Sequence, residues 1–314
     1  MKHLDIVIGG PDMSGTSTQI QDCIDYFLQK GKKIRDIRRT EIDALFHADI
    51  FSVINQDHLN LSAFLQDNAI PETIKSAFLK KSYSLLSGHG TNKDLRIASC
   101  VQNEVSTYID PDSADVWIME EPTKRSAGQV NRTIEQHRSK YGGSTDPIAA
   151  ALSHQNYRID EFLRFRKPLR EAKKVIIRSR SEESACYQVY HRQKLPEGIS
   201  MEDYLNLPGH AFAFGHPPTH IIIVCAPPEW NKEAYLKLKQ ERSNGRLIDD
   251  HESNAEYQLL VNRRYATNWL ENLYNRGCSL YGATPPKIIR LNIYDSKQII
   301  RKKLHRIFDL IAKN

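Results

Sequence analysis

The sequence predicts an α/β fold: a parallel sheet of five strands with helices on both faces. Three observations lead there. Short apolar runs recur along the chain, segments of helical periodicity separate them, and a glycine-rich turn joins the first run to the first helix. Strands buried on both faces read as near-continuous apolar runs rather than as alternating ones.

The first run, His3-Leu4-Asp5-Ile6-Val7-Ile8, ends at the pair Gly9-Gly10. From Ser17 to Gln29 the apolar residues Ile20, Cys23, Ile24, Phe27 and Leu28 recur at helical spacing until Gly31 stops them. A second strand, Asp115 to Met119, leads into Glu120-Glu121-Pro122, where proline forbids a central ladder. Residues 32–112 between them read as a mostly helical insertion, with Leu61, Phe64 and Leu65 on one apolar face, Ile74, Phe78 and Leu79 on another, and a break at Gly88-His89-Gly90. After a helix from Ala149 to Phe165, the runs Lys174 to Ile177, His220 to Ala226 and Ile288 to Ile293 supply the remaining strands. Ile300, Leu304, Ile307, Phe308 and Ile311 mark a terminal helix. Leu205 to Pro218, rich in glycine, proline and aromatic residues, reads as a loop in position to line a pocket.

Composition narrows the function. The chain of 314 residues is 40% hydrophobic and 26% charged, enough to build a core and unlike a disordered segment. Its 44 Lys and Arg against 38 Asp and Glu give a net charge of +6, which suits phosphate-bearing ligands without requiring nucleic acid. The longest apolar run, Ile221 to Ala226, is far below the ~20 residues that span a bilayer. No secretory h-region opens the sequence, so a soluble, cytoplasmic protein is expected. Five scattered cysteines form no C-x-x-C and predict neither a disulfide framework nor a zinc knuckle. His47, His58, His89, His210 and His216 fit no metal-ligand spacing.

The segment Gly10-Pro11-Asp12-Met13-Ser14-Gly15-Thr16-Ser17 lies at the strand-to-helix turn. It fits G-x-x-x-x-G-K-[ST] except that Thr16 stands where lysine belongs. Such a P-loop cradles phosphate with successive backbone N–H groups, and the positive end of the following helix adds to the attraction. Gly10, Met13, Ser14, Gly15, Thr16, Ser17 and Thr18 are the expected ATP contacts, with the Ser17 hydroxyl placed for Mg²⁺. Thr16 removes one positive charge from the β- and γ-phosphates, so another cation must take its place.

Four blocks together resemble the thymidylate kinases of the P-loop nucleoside monophosphate kinase family. Gly10 to Gln19 is similar to G-x-D-G-S-G-K-S-T-Q. Glu121-Pro122-Thr123-Lys124-Arg125-Ser126 is similar to the R-E-P segment, with Glu120 in place of arginine. Asp146-Pro147 through Ala151-Leu152 to Tyr157-Arg158 resembles the A-L-L-F-A-A-D-R helix. Arg178-Ser179-Arg180, with Ser184 and Tyr187-Gln188, resembles D-R-Y-x-x-S-x-x-A-Y-Q shortened by one residue. The resemblance covers residues 1–31 and about 115–314, and it implies a P-loop NTPase three-layer fold.

It also implies transfer of the ATP γ-phosphoryl group to a nucleoside monophosphate, with dTMP as the acceptor and Mg²⁺ as the cofactor. Asp12, Arg180, Arg242 and Arg246 are its catalytic candidates, and Asp12, Glu121, Arg125, Arg158, Arg180, Tyr187 and Gln188 its acceptor contacts. Residues 239–256 correspond to a mobile lid, in which Arg242 and Arg246 are the cations that answer for Thr16. Ser179 replaces the aspartate that precedes the motif arginine, a second departure in the same centre. Family members commonly pair as dimers, so a homodimer is expected.

Two other readings compete with this one. The first is a nucleotide-binding protein of the same fold without turnover, in line with the losses at Thr16 and Ser179, and a kinase for another nucleotide is a variant of the leading reading. The second is a nucleic-acid-associated protein using Lys75, Lys80, Lys81 and Lys93, whose mark is steeply salt-dependent binding.

Overall fold

The computed structural model describes residues 3–38, 109–121, 154–155, 158–159, 161–189, 199–243 and 254–313. Among these residues the sheet is entirely parallel and has six strands, not five. Strand β1 (Leu4–Gly9) leads through the glycine-rich turn into α1 (Thr16–Gln29). β2 (Ile34–Asp36) and β3 (Val116–Glu120) follow. A π-helical turn over Phe162–Arg166 then runs into α2 (Lys167–Glu171) and β4 (Val175–Ser179). Short helices α3 (Ala185–Gln188), α4 (Met201–Leu205) and α5 (His210–Gly215) precede β5 (His220–Cys225). The chain continues through α6 (Lys232–Ser243), α7 (Ala255–Ala266), α8 (Trp269–Leu280), β6 (Lys287–Asn292) and α9 (Lys297–Lys313).

The strand missed in the sequence is β2. It pairs Ile34 with Val116 and Asp36 with Ile118 at the sheet edge, and two of its three residues are charged, so no apolar run announces it. The expected insertion over residues 32–112 therefore begins inside the sheet. Residues 39–108, with the two predicted apolar faces and the four lysines, lie outside the described residues. The expected loop from Leu205 to Pro218 contains α5, whose Ala213 and Phe214 are buried against Tyr274 of α8. Apolar packing there overrides the turn-forming composition.

Alternation along the strands divides the core into two faces. Ile6, Ile8, Ile118, Ile177, Ile222 and Val224 face α1, α6 and α9. Val7, Ile221 and Ile223 face α3, α4, α5, α7 and α8, and Trp117, Met119 and Ile176 meet Phe165 and Leu169. Among the described residues no helix is long and apolar enough to cross a membrane.

The strand order β2-β3-β4-β1-β5-β6 seats β1 between β4 and β5. It differs from the 3-2-1-4-5-6 order of dinucleotide-binding sheets, in which strand 1 lies beside strand 2. The chain moves to one side of β1 for three strands and to the other side for two. The turns that leave the carboxyl ends of β1, β4 and β5 therefore converge, and such a switch point is where open α/β sheets bind ligands.

Candidate functional site at the switch point

The turn after β1 is held in a conformation that few sequences adopt. Gly10 has φ +150, and a methyl group on it would meet the Val224 carbonyl and lie 2.8 Å from Ser14 Oγ. Ser14 N–H donates to the Pro11 carbonyl at 3.1 Å, closing a tight turn whose third residue, Met13, has φ +67. The thymidylate kinase pattern has glycine at this position, where positive φ carries no Cβ penalty. Met13 bears about 1–2 kcal/mol of strain instead.

Arg242 offsets that strain. Its Nη1 donates to the Met13 carbonyl at 2.5 Å and its Nη2 to the Ile293 carbonyl at 2.8 Å, tying the turn to the residue after β6. Burial pulls the Arg242 pKa down and Glu241 opposes the shift. Arg242, expected as a lid cation, lies at the end of α6 and in this structure grips the loop backbone.

Gly15, left-handed at φ +79, starts α1 with no side-chain cap among the described residues, and no acidic residue occupies the first turn. Gly15, Ser17 and Thr18 are exposed, and Thr16 partly so. The Ser14 carbonyl, which would repel an anion, is occupied by buried Gln19 Nε2, which donates to it at 2.7 Å. An uncapped helix start with exposed N–H groups is a ready anion site.

Asp12 projects from the turn toward residues carried by β4 and α7. Arg180 Nη2 donates to its Oδ1 at 2.8 Å, and Gln258 Nε2 donates to its Oδ2 at 2.7 Å. Arg180 itself has φ +67, is fastened by N–H donation to the Ile8 carbonyl at 2.9 Å, and stacks its guanidinium 5.1 Å from the Tyr187 ring centre. About a quarter of the Arg180 side chain stays open to solvent. Tyr187 and Asp12 raise its already high pKa against the effect of burial, which is the largest single influence.

Arg158 is placed differently. It is buried, with Nε and Nη2 on Glu121 Oε1 at 2.8 and 2.5 Å and Nη1 on Tyr204 Oη at 3.2 Å and His210 Nε2 at 2.8 Å. A guanidinium only donates, so His210 Nε2 accepts and its Nδ1–H donates to the Tyr204 carbonyl. His210 is therefore neutral; burial and Arg158 push its pKa down to about 3. Here Glu121 and Arg158, both expected at the acceptor, form an ion pair with each other. Arg125, Arg246 and residues 244–253 of the expected lid 239–256 lie outside the described residues, as does the Gln188 side chain.

A buried charge network supports the floor of the site. Asp5, wholly buried in β1, accepts from Arg178 Nε at 2.9 Å and Arg166 Nη2 at 3.1 Å. Burial pushes its carboxyl pKa up, but Arg178, Arg166 and Arg170 outweigh that and hold it far below the usual range. Glu182 sits 3.6 Å from both Arg166 and Arg178, and those cations hold its pKa at about 2 against the opposing effect of burial. Its neighbour Glu183 behaves in the opposite way. Burial, with Glu121 nearby, pushes its pKa up to about 8, more than Arg180 and the Ser181 hydrogen bond can offset. Glu183 Oε2 accepts from Ser181 N–H and Oγ, whereas Oε1 has no hydrogen-bond partner among the described residues and abuts Gly9 so closely that a methyl group there would sit 2.6 Å away.

Gln258, Glu183 and this network are the parts that the sequence did not disclose. Asp5 alone carried a signal, since a carboxylate inside a central apolar strand needs buried partners. Among the described residues no group of three His, Cys, Asp or Glu side chains could hold a metal. Among the described residues the exposed hydroxyl of Ser17 is the oxygen that the P-loop reading assigns to Mg²⁺, and one hydroxyl suits an ion that keeps its waters and arrives on a nucleotide's phosphates. No protein-family model matches the chain, and no curated protein matches it.

Proposed function

We propose that the chain is a P-loop phosphotransferase that moves the γ-phosphoryl group of ATP to a nucleoside 5′-monophosphate, with dTMP the first candidate by resemblance. The observation that carries this reading is the pairing of two features at the switch point. One is an acid-free helix start without a side-chain cap among the described residues, behind a turn with positive φ at Gly10, Met13 and Gly15; the other is Arg180, about a quarter open to solvent and fixed by Asp12. The first accepts the donor's phosphates and the second faces an acceptor's phosphate with a planar fork.

Loop N–H groups orient the triphosphate, Arg180 orients the acceptor phosphate, and Asp12 holds Arg180 in place. Positioning and charge supply the acceleration, since phosphoryl transfer needs no covalent intermediate on the protein. Ser17 would hold Mg²⁺, which when bound offsets charge on the phosphate oxygens. The all-parallel sheet, with β1 between β4 and β5, is compatible with a P-loop arrangement, and the turn after β1 is what favours that reading.

Purified protein given ATP, Mg²⁺ and a panel of nucleoside monophosphates is expected to yield ADP and one nucleoside diphosphate. Failure with every monophosphate removes the kinase. The reading of a binder without turnover rests on Thr16 and Ser179, and it is favoured if nucleotides raise the melting temperature while no product forms.

A further inference from the structure

We infer that Gln258 is a positioning residue for the acceptor, acting through Asp12; the inference rests on the nucleotide-site reading above. Gln258 is fully buried in the first turns of α7, yet its Nε2 reaches across to Asp12 Oδ2 at 2.7 Å while Arg180 takes Oδ1 at 2.8 Å. A carboxylate with one donor on each oxygen cannot rotate about its terminal bond without breaking a charge-assisted hydrogen bond. The plane of Asp12, and through it the direction of the Arg180 fork, is thereby set from two separate elements.

The neighbouring residues of α7 show why the donor comes from there. Asn254 caps the helix by accepting from Tyr257 N–H, and Tyr257 Oη donates to the Tyr187 carbonyl at 2.7 Å, beneath the ring on which Arg180 stacks. One turn further on, Asn262 closes on both the N–H and the carbonyl of Ala226 at the end of β5. Helix α7 is thus pinned on both sides of Gln258, and its side chain is delivered to Asp12 by a rigid element. Leucine in its place leaves Oδ2 without this donor and Arg180 facing a carboxylate free to turn. The acceptor's phosphate is the ligand affected; the triphosphate on the loop N–H groups is not.

The experiment measures equilibrium dissociation constants of dTMP and of ATP by calorimetry for the wild type, Gln258→Leu, Asp12→Asn and the double variant, each checked for folding by its thermal melt. Gln258→Leu is expected to weaken dTMP about tenfold, in line with the loss of a hydrogen bond to a charged group, and to leave ATP within about twofold. In the Asp12→Asn background the same substitution is expected to change dTMP binding less than threefold, because the contact it removes is already altered. Equal losses for both nucleotides, or effects that multiply in the double variant, overturn the inference. Gln258→Glu serves if the leucine variant does not fold: a second carboxyl beside Asp12 is expected to weaken dTMP more than ATP, and an equal effect on both overturns the inference. A wild type that binds dTMP without forming product sinks the kinase while leaving this inference to the same constants. A wild type that binds no monophosphate sinks both.

Discussion

Replacing Glu183 by glutamine isolates a buried carboxyl group whose ionisation the fold opposes. The amide keeps an oxygen to accept from Ser181 N–H and Oγ and places its NH₂ where Oε1 now abuts Gly9, so the shape of the site is retained. With a folded pKa of about 8 against the ordinary glutamate value, the folded state holds a proton that the unfolded chain has released. The sign follows from linkage. Glu183's contribution is fully present below pH ~4.5 and is lost as pH rises toward 8, at up to ~1.4 kcal/mol per unit, about 5 kcal/mol in all as an upper bound.

Glu182 and Asp5, with depressed values, act in the opposite sense and lose their contribution as pH falls below the ordinary carboxylate range. Neutral His210 likewise favours the fold above its ordinary value and costs stability as pH falls below it. Both substituted and parent proteins carry those groups, so the difference between them cancels the shared titrations. Urea unfolding at pH 5, 6, 7, 8 and 9 is expected to show Glu183→Gln gaining on the wild type steadily up to pH 8 and then holding level. Parallel stability profiles across that range would show that Glu183 ionises freely, and the account of the loop's floor would fail.

Gly10→Ala drives a methyl group into the Val224 carbonyl and the Ser14 side chain; a loss of about 1–3 kcal/mol in urea and the disappearance of ATP-induced thermal stabilisation are expected. Retained stabilisation by ATP would mean that the turn does not hold phosphates. Arg158→Ala strands Glu121 and removes the donor to His210. Denaturation should register about 3–5 kcal/mol of destabilisation; a change below 1 kcal/mol would show that the ion pair is not formed in solution.

The central strands were legible because each is covered on both faces, leaving apolar runs that need no partner to be recognised. Ile6 to Ile8 and Ile221 to Val224 are of this kind. β2 was not, since Arg35 and Asp36 face solvent at an edge and Ile34 alone carries no period. The turn at Gly10 to Ser17 was legible as a motif, but its mechanics were not: nothing in the order of residues says that Met13 needs a clamp or that Arg242 provides one. Gln258 escaped for a related reason, because its partner Asp12 is 246 positions away and a single glutamine on a helix carries no pattern. The pairing of Arg158 with Glu121 was not legible either, because the two residues lie 37 positions apart and no spacing joins them.

The corner of the sheet at β2 has a further consequence. Lys33 and Asp115 exchange hydrogen bonds, Ile37 N–H donates to the Ile118 carbonyl, and Ile37 shares an apolar cluster with Ile109. The edge strand is therefore fastened at both ends, to Asp115 through Lys33 and to Ile118 through Ile37. It cannot slip along β3 by one residue without breaking both fastenings, so the pairing of Ile34 with Val116 and of Asp36 with Ile118 is fixed where the sheet has no further neighbour among the described residues.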